Sequence, residues 1–162
     1  MEAEIEGLFY KEYNCKPQAV NSSPGVLHLL GEHAEFARGH VLSIALPLSA
    51  TVAVARRADS SIRMFTGLYD ERKRCSVSNL KFKREDRWAN LLKAVLAGLD
   101  TMGCSLTGLN ILIDCEIPDG RGLGASSAIC LAADMNAWIS AGDGRHPPSA
   151  KAAPVGMSGV TG

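Results

Sequence analysis

The sequence predicts an α+β sandwich rather than a doubly wound parallel sheet. Three observations carry that expectation. The first half is divided into short β-branched and apolar runs. From about residue 85 the apolar positions recur at steps of three and four. A further apolar run then leads through a glycine-rich turn into a second helical pattern.

Taken in chain order, residues 4–13 alternate acids with Leu8, Phe9, Tyr10 and Tyr13, at spacings that suit one helical face, and Pro17 closes the segment. Residues 26–30 read as a strand entered through a turn at Ser22, Ser23, Pro24 and Gly25. Val41–Ala45 and Thr51–Ala55 read as two strands with a bend at Pro47. Ile62–Phe65 and Cys75–Val77 are weaker strand candidates flanking the polar turn Tyr69-Asp70-Glu71. Trp88, Leu91, Leu92, Val95, Leu96 and Leu99 predict an amphipathic helix from about Glu85 to Met102, stopped by Gly103. Leu109–Cys115 is a further strand, and Ala125–Ile139 a further helix after the turn at 120–124. Of the 23 residues from 140 to 162, fifteen are Gly, Pro, Ala or Ser. Such a stretch buries too little apolar surface to offset its ordering entropy, so residues 1–139 are expected to form the domain and 140–162 a disordered tail.

Composition narrows the function classes. Hydrophobic residues at 46% and charged residues at 21% are globular values. Seventeen basic and seventeen acidic side chains cancel, which argues against nucleic acid or a membrane surface as partner. The basic stretch Lys81–Arg84, with Arg87 beyond it, reads as a solvated helix start. Five cysteines (Cys15, Cys75, Cys104, Cys115, Cys130) lack C-x-x-C spacing, so reduced thiols are expected. The acidic N-terminus is wrong for a signal peptide, and the longest apolar run is too short to span a bilayer. A cytoplasmic protein is expected.

Two places could carry chemistry. The first is residues 117–128, IPDGRGLGASSA, with a predicted strand before it and a helix after it. Glycines let backbone N–H groups turn inward at positive φ, and a helix N-terminus adds free donors and partial positive charge. Together these suit a phosphate, with Ser126 and Ser127 supplying hydroxyls. An ordinary glycine-rich turn with serine N-caps fits the same residues, and composition alone leaves both readings open. No Gly-Lys-Ser/Thr follows, so this is not a Walker A loop. Gly120, Gly122 and Ala125 fit the G-x-G-x-x-A dinucleotide form, but no second strand ending in an acid lies about 20 residues on. The second place is Gly31–Phe36, where Glu32, His33 and Glu35 cluster after an apolar strand. Carboxylates accept paired hydrogen bonds from vicinal hydroxyls, which suits a sugar or polyol. A solvated charged turn is the alternative.

Residues 24–36, PGVLHLLGEHAEF, resemble the galactokinase signature P-G-R-x-N-L-I-G-E-H-x-D-Y, and Gly39–Leu42 resembles the stretch just after that signature. Residues 118–128, PDGRGLGASSA, resemble the phosphate loop P-x-x-x-G-L-x-S-S-A of the wider GHMP small-molecule kinases. The resemblance covers roughly residues 5–139. It implies the N-terminal half of a two-domain kinase with a ribosomal-protein-S5-like two-layer α+β fold. It implies ATP and Mg²⁺ as cofactors and transfer of the γ-phosphate to a hydroxyl of galactose or a related sugar. On this resemblance Glu32, His33, Ala34 and Glu35 fall at the sugar, and Gly120, Arg121, Gly122, Leu123, Gly124, Ala125, Ser126 and Ser127 on the phosphate loop, with Ser126 nearest Mg²⁺.

Departures from the pattern set further expectations. Val26 replaces the motif's arginine, His28 its asparagine, Glu35 its aspartate and Ala125 a loop serine. The family's G-x-M-D-Q stretch has no counterpart, because Gly156-Met157-Ser158 puts serine where the aspartate belongs. No catalytic residue is therefore assigned. The tail has the composition expected downstream of an early stop or a frameshift, and the chain is expected to be inactive alone. It is also expected to self-associate through the face that the family's second domain would cover. The alternative readings are a non-catalytic sugar- or nucleotide-binding module and, more remotely, a dinucleotide-binding domain.

Overall fold

A computed structural model describes residues 2–140; the side chains of residues 2, 35, 135 and 137–140 are outside that description, as are residue 1 and residues 141–162. The segment expected to form a disordered tail therefore lies, beyond residue 140, outside the described residues. One mixed five-stranded sheet organises the rest, in the order β1-β2-β5-β3-β4. Its strands are β1 (Ala19–Leu30), β2 (Leu42–Arg57), β3 (Ser61–Thr66), β4 (Glu71–Ser76) and β5 (Gly108–Cys115). All neighbours are antiparallel except β3 and β5. The helices are α1 (Glu2–Tyr13), α2 (Ala89–Thr101) and α3 (Ala125–Ser140), with short 3-10 segments at Ala34–Ala37 and Arg84–Asp86.

Alternation along the strands sorts the core into two faces. Val52, Val54, Ile62, Met64, Ile111 and Ile113 point to one face, where α2 supplies Leu92, Leu96 and Leu99 and α3 supplies Ala132 and Ala133. Ala53, Ala55, Phe65 and Leu112 point to the other, where α1 lays down Ile5 and Phe9. The two-layer α+β fold expected from the sequence is thus present, with α1 added on the second face. Its buried stripe is Ile5, Phe9 and Tyr13 at four-residue steps, whereas Leu8 and Tyr10, expected on that face, are exposed. Tyr13 anchors the helix by donating to the Ile111 carbonyl at 2.7 Å.

Three expected boundaries move. Ser22–Gly25 is not a turn: β1 runs straight through it, and its edge position lets the sheet accept Pro24. Residues 42–57 form one strand, not two. Between the Pro24–Ser49 and Val26–Ala45 pairs, β1 advances by Gly25 alone while β2 passes Leu46, Pro47 and Leu48. Pro47 thus sits in a bulge, where no ladder donor is required. The third helix boundary also shifts: α2 begins at Ala89 rather than near Glu85, because Arg87 adopts φ +42° and separates it from the 3-10 turn.

Beyond the loop-bearing end of the sheet, the tip of the β1–β2 hairpin exposes Leu29, Leu30, Phe36, Leu42 and Ile44. Scattered apolar side chains are ordinary on a surface, but a group this size at one hairpin tip favours association. Sedimentation is expected to show a concentration-dependent dimer or larger species. A single monomeric species over the same range would contradict this.

Candidate functional site

Strand β5 ends at Cys115, and the chain then turns under the sheet with Ile117 fully buried. Gly120, Gly122 and Gly124 come next at φ +68°, +71° and +73°. Side-chain-bearing residues rarely adopt that region, which is why the turn needs glycine. Helix α3 begins at once, and the Ala128 N–H closes its first turn on the Gly124 carbonyl at 2.9 Å. The amides of residues 125–127 therefore have no carbonyl partner within the helix and stand at its positive end.

The loop is pinned to the first motif. The Val26 N–H donates to the Leu123 carbonyl at 3.0 Å. A Cβ on Gly25 would stand 2.9 Å from that same carbonyl oxygen, and one on Gly124 would stand 3.4 Å from the Val26 nitrogen. Gly25 is therefore required by close approach of strand and loop, not by a turn. A hollow of about 300 Å³ opens at this junction, lined by Ser23, Val26, His28, Gly122, Gly124 and Ser127 among others. His28 is held there by a 2.7 Å hydrogen bond between its Nδ1 and the Ser43 hydroxyl.

A second cavity, about 410 Å³, lies on the other side of the α3 N-terminus. Its walls include Trp88, Leu91, Ile113 and Ile117, and Ser126 and Asp119 reach its rim. Two hydrogen bonds fix its polar edge. The Tyr69 hydroxyl donates to Asp119 Oδ2 at 2.9 Å, and the Trp88 indole N–H donates to Glu71 Oε2 at 2.9 Å. The Asp119 carboxylate, by accepting that proton, raises the Tyr69 phenol pKa. An apolar slot with an indole in its wall and a few polar groups at its mouth suits a planar heterocycle. Nearby, burial raises the Cys115 thiol pKa, which favours the thiol over the nucleophilic thiolate. All five cysteines are free thiols, as the sequence suggests.

Not every expected residue joins this site. Glu32 and His33 lie on an exposed turn beyond β1, with His33 at φ +63° and its ring 6.0 Å from that of Phe36. Ala34 starts the 3-10 segment, and the Glu35 side chain is outside the described set. That turn is fixed by Gly31, at φ +74°, where a Cβ would fall 2.2 Å from the His40 carbonyl oxygen. Neither cavity described here is lined by Glu32, His33 or Ala34. Sequence reasoning missed Tyr69, Trp88 and Asp119 as cavity residues. Trp88 was visible only as a helix-face apolar residue, and the Tyr69–Asp119 bond spans 50 positions. Among the described residues no three His, Cys, Asp or Glu side chains gather as a metal cluster. None of the described helices is long and apolar enough to cross a membrane.

Comparison with known proteins places these features in context. Residues 7–56 match the galactokinase galactose-binding signature, and residues 90–140 match the GHMP kinases N terminal domain. A Treponema pallidum protein whose name assigns it provisionally to the galactokinases is 42% identical over 79% of this chain and 32% of its own length. The Bacillus subtilis galactokinase is 33% identical over 81% of this chain and 35% of its own. The chain thus spans about a third of the length of these relatives. The structure of Lactococcus lactis galactokinase complexed with galactose superposes with a TM-score of 0.73 at 22% identity, covering 82% of this chain and 35% of that one. A mevalonate kinase superposes at 0.61 and 21% identity, covering 74% of this chain and 40% of that one. These two likenesses are of fold.

Proposed function

Since this chain belongs to the GHMP kinases as a galactokinase-like member, matched over its N-terminal part, we propose that it forms the nucleotide- and sugar-binding portion of an ATP-dependent sugar kinase. The observation that carries this reading is the junction itself. The glycine loop and the α3 N-terminus sit against Val26, inside the segment that resembles the galactokinase signature. Three glycines at positive φ and the first-turn amides of α3 fit the phosphates of ATP. The Trp88 slot, which Ser126 also lines, would take the base. Oxygen donors suit Mg²⁺, and the Ser126 hydroxyl together with nucleotide phosphates would supply them. When bound, the metal would neutralise charge on the phosphates.

Glu32, His33, Ala34 and Glu35 would face the sugar, and galactose or a related hexose is the proposed acceptor. ATP would give up its γ-phosphoryl to a hydroxyl of that sugar. What this chain contributes is positioning: the loop fixes the phosphates and the β1 end presents the acceptor side. The cavity at the junction holds Val26 where the resembling motif has a cation, and among the described residues no carboxylate lines it. On its own, a polypeptide of these 162 residues is therefore proposed to bind rather than turn over. Residues 1–139 would be the working domain.

The test is calorimetric titration of the chain with ATP and Mg²⁺, alongside Gly25→Val. The valine side chain must displace the Leu123 carbonyl, and misplacement on the ångström scale is expected to weaken ATP binding by about tenfold to a hundredfold. Equal ATP affinity for both proteins, with Gly25→Val still folded by circular dichroism, would contradict the proposed phosphate seat.

A further inference from the structure

Away from both cavities, the β3–β4 hairpin carries a concentration of positive charge that the proposed function does not use. In its register Arg63 stands directly opposite Arg74, and Phe65 opposite Arg72. Phe65 belongs to the α1 side of the sheet, so all three arginines lie on that side. Like charges directly opposite one another on a sheet repel. Arg72 is neutralised: its Nε and Nη2 donate to the two Glu12 oxygens at 2.7 and 2.8 Å, Asp70 lies 3.7 Å away, and the guanidinium covers the Phe65 ring at 4.8 Å. With both Glu12 oxygens engaged there, Arg63 and Arg74 have no carboxylate partner among the described residues.

Arg63 adds a second observation. Its Nε is enclosed by protein and has no hydrogen-bond partner among the described residues. Enclosed donors are nearly always satisfied in folded proteins, by protein, by water or by an ion, so this one is a place where a solvent molecule or ion is expected. The Tyr13 hydroxyl, which donates to the Ile111 carbonyl, makes no hydrogen bond to the Arg63 Nε. The hollow in front is about 260 Å³ and is lined by Glu12, Tyr13, Arg63, Arg72 and Arg74 among others. That is small for a nucleotide and ample for one phosphate group with a short substituent. Cations on an edge strand also deter pairing with another chain, which would account for Arg72 and Arg74 on β4. It does not account for Arg63, because β3 is an inner strand between β4 and β5.

We propose that Arg63 and Arg74 form a binding site for a phosphate group on the α1 side of the β3–β4 hairpin, separate from the glycine loop. Two guanidinium forks offer paired N–H donors and two positive charges, which match a phosphate dianion in geometry and in charge. The outer N–H groups of the two guanidinium forks would supply the donors, and the enclosed Arg63 Nε–H would report on the site. None of the residues lining the two cavities of the candidate site lines this hollow. The site stands independently of the kinase reading.

The experiment is a titration of the full chain, labelled with ¹⁵N, with inorganic phosphate and separately with a hexose phosphate. Sodium chloride holds the ionic strength constant. The expected result is a saturable millimolar shift of the Arg63 Nε–Hε signal, with the Gly120–Ser127 amides reporting separately on the loop. Arg74→Gln, at an exposed position, is expected to weaken that response by about tenfold, the loss of one charge-assisted pair. Saturation by inorganic phosphate alone would identify free phosphate as the ligand, and tighter saturation by the hexose phosphate a phosphorylated metabolite. An unresponsive Arg63 signal, an equal response to chloride, or an unchanged affinity in Arg74→Gln would each overturn the proposal. A response confined to the loop amides would overturn it while leaving the phosphate loop intact.

Discussion

Replacing Lys93 by alanine is expected to cost about 3 kcal/mol of folding stability, a large share of the roughly 5–15 kcal/mol that holds a domain together. Lys93 is 2% exposed on the core side of α2. Its ammonium group makes an ion pair with Asp86 and donates to the Lys81 carbonyl at 3.3 Å. It thereby ties the start of α2 to the 3-10 turn and to the segment leading out of β4. Without it, the mostly covered Asp86 carboxylate loses its only ion-pair partner among the described residues. The Lys93 hydrogen bond holds the Asp86 carboxyl below the ordinary carboxylate range. A depressed pKa means that the folded state prefers the ionised form. The pair's contribution is therefore complete above the unfolded pKa and is lost as pH falls through the folded one. Urea unfolding at neutral and acidic pH should show the gap between the parent and Lys93→Ala narrowing in acid. A variant as stable as the parent at neutral pH would contradict the account of this pair.

The second large effect is catalytic. A polypeptide of these 162 residues is expected not to phosphorylate galactose at a useful rate. Phosphoryl transfer relies on positioning and on charges arranged around the moving phosphate. The hollow where strand and loop meet is lined by Val26 and, among the described residues, by no carboxylate. Absence of a general base costs about 10²–10⁴-fold, and of one preorganised charge-stabilising group roughly 10²–10³-fold. These losses need not multiply, but both act downward. A coupled assay of ADP release with galactose and related hexoses reads the result. Turnover near the usual kinase range of about 1–100 s⁻¹ would mean that a residue such as Asp119 acts as the base.

Much of this architecture is legible because it rests on local periodicity. Leu92, Leu96 and Leu99 announce α2 by spacing alone, and residues 109–115 announce a strand buried on both faces. The loop glycines at 120, 122 and 124 announce a strand–turn–helix connection, which the structure shows. What escaped depends on long-range contact. Pro24 and Gly25 look like a turn until the sheet shows that β1 is an edge strand and that Leu123 presses on Gly25. Pro47 looks like a break until β1 pairs on both sides of it. Nothing in the sequence marks Lys93 as buried until its partner Asp86 closes over it, and Trp88 reads as a helix-face apolar residue until Ile117 and Ser126 open a cavity beside it. In each case the residue type is ambiguous, and a neighbour distant in the chain decides.

The central claim, that the loop between β5 and α3 is a phosphate seat working with the Trp88 slot, is tested most directly by solution NMR of the folded chain with ATP and Mg²⁺. The account predicts saturable shifts of the Gly120–Ser127 amides and of the Trp88 indole N–H, with the α1 amides unmoved. Unchanged loop and indole signals at millimolar ATP, in a sample with the dispersed spectrum of a folded protein, would contradict it.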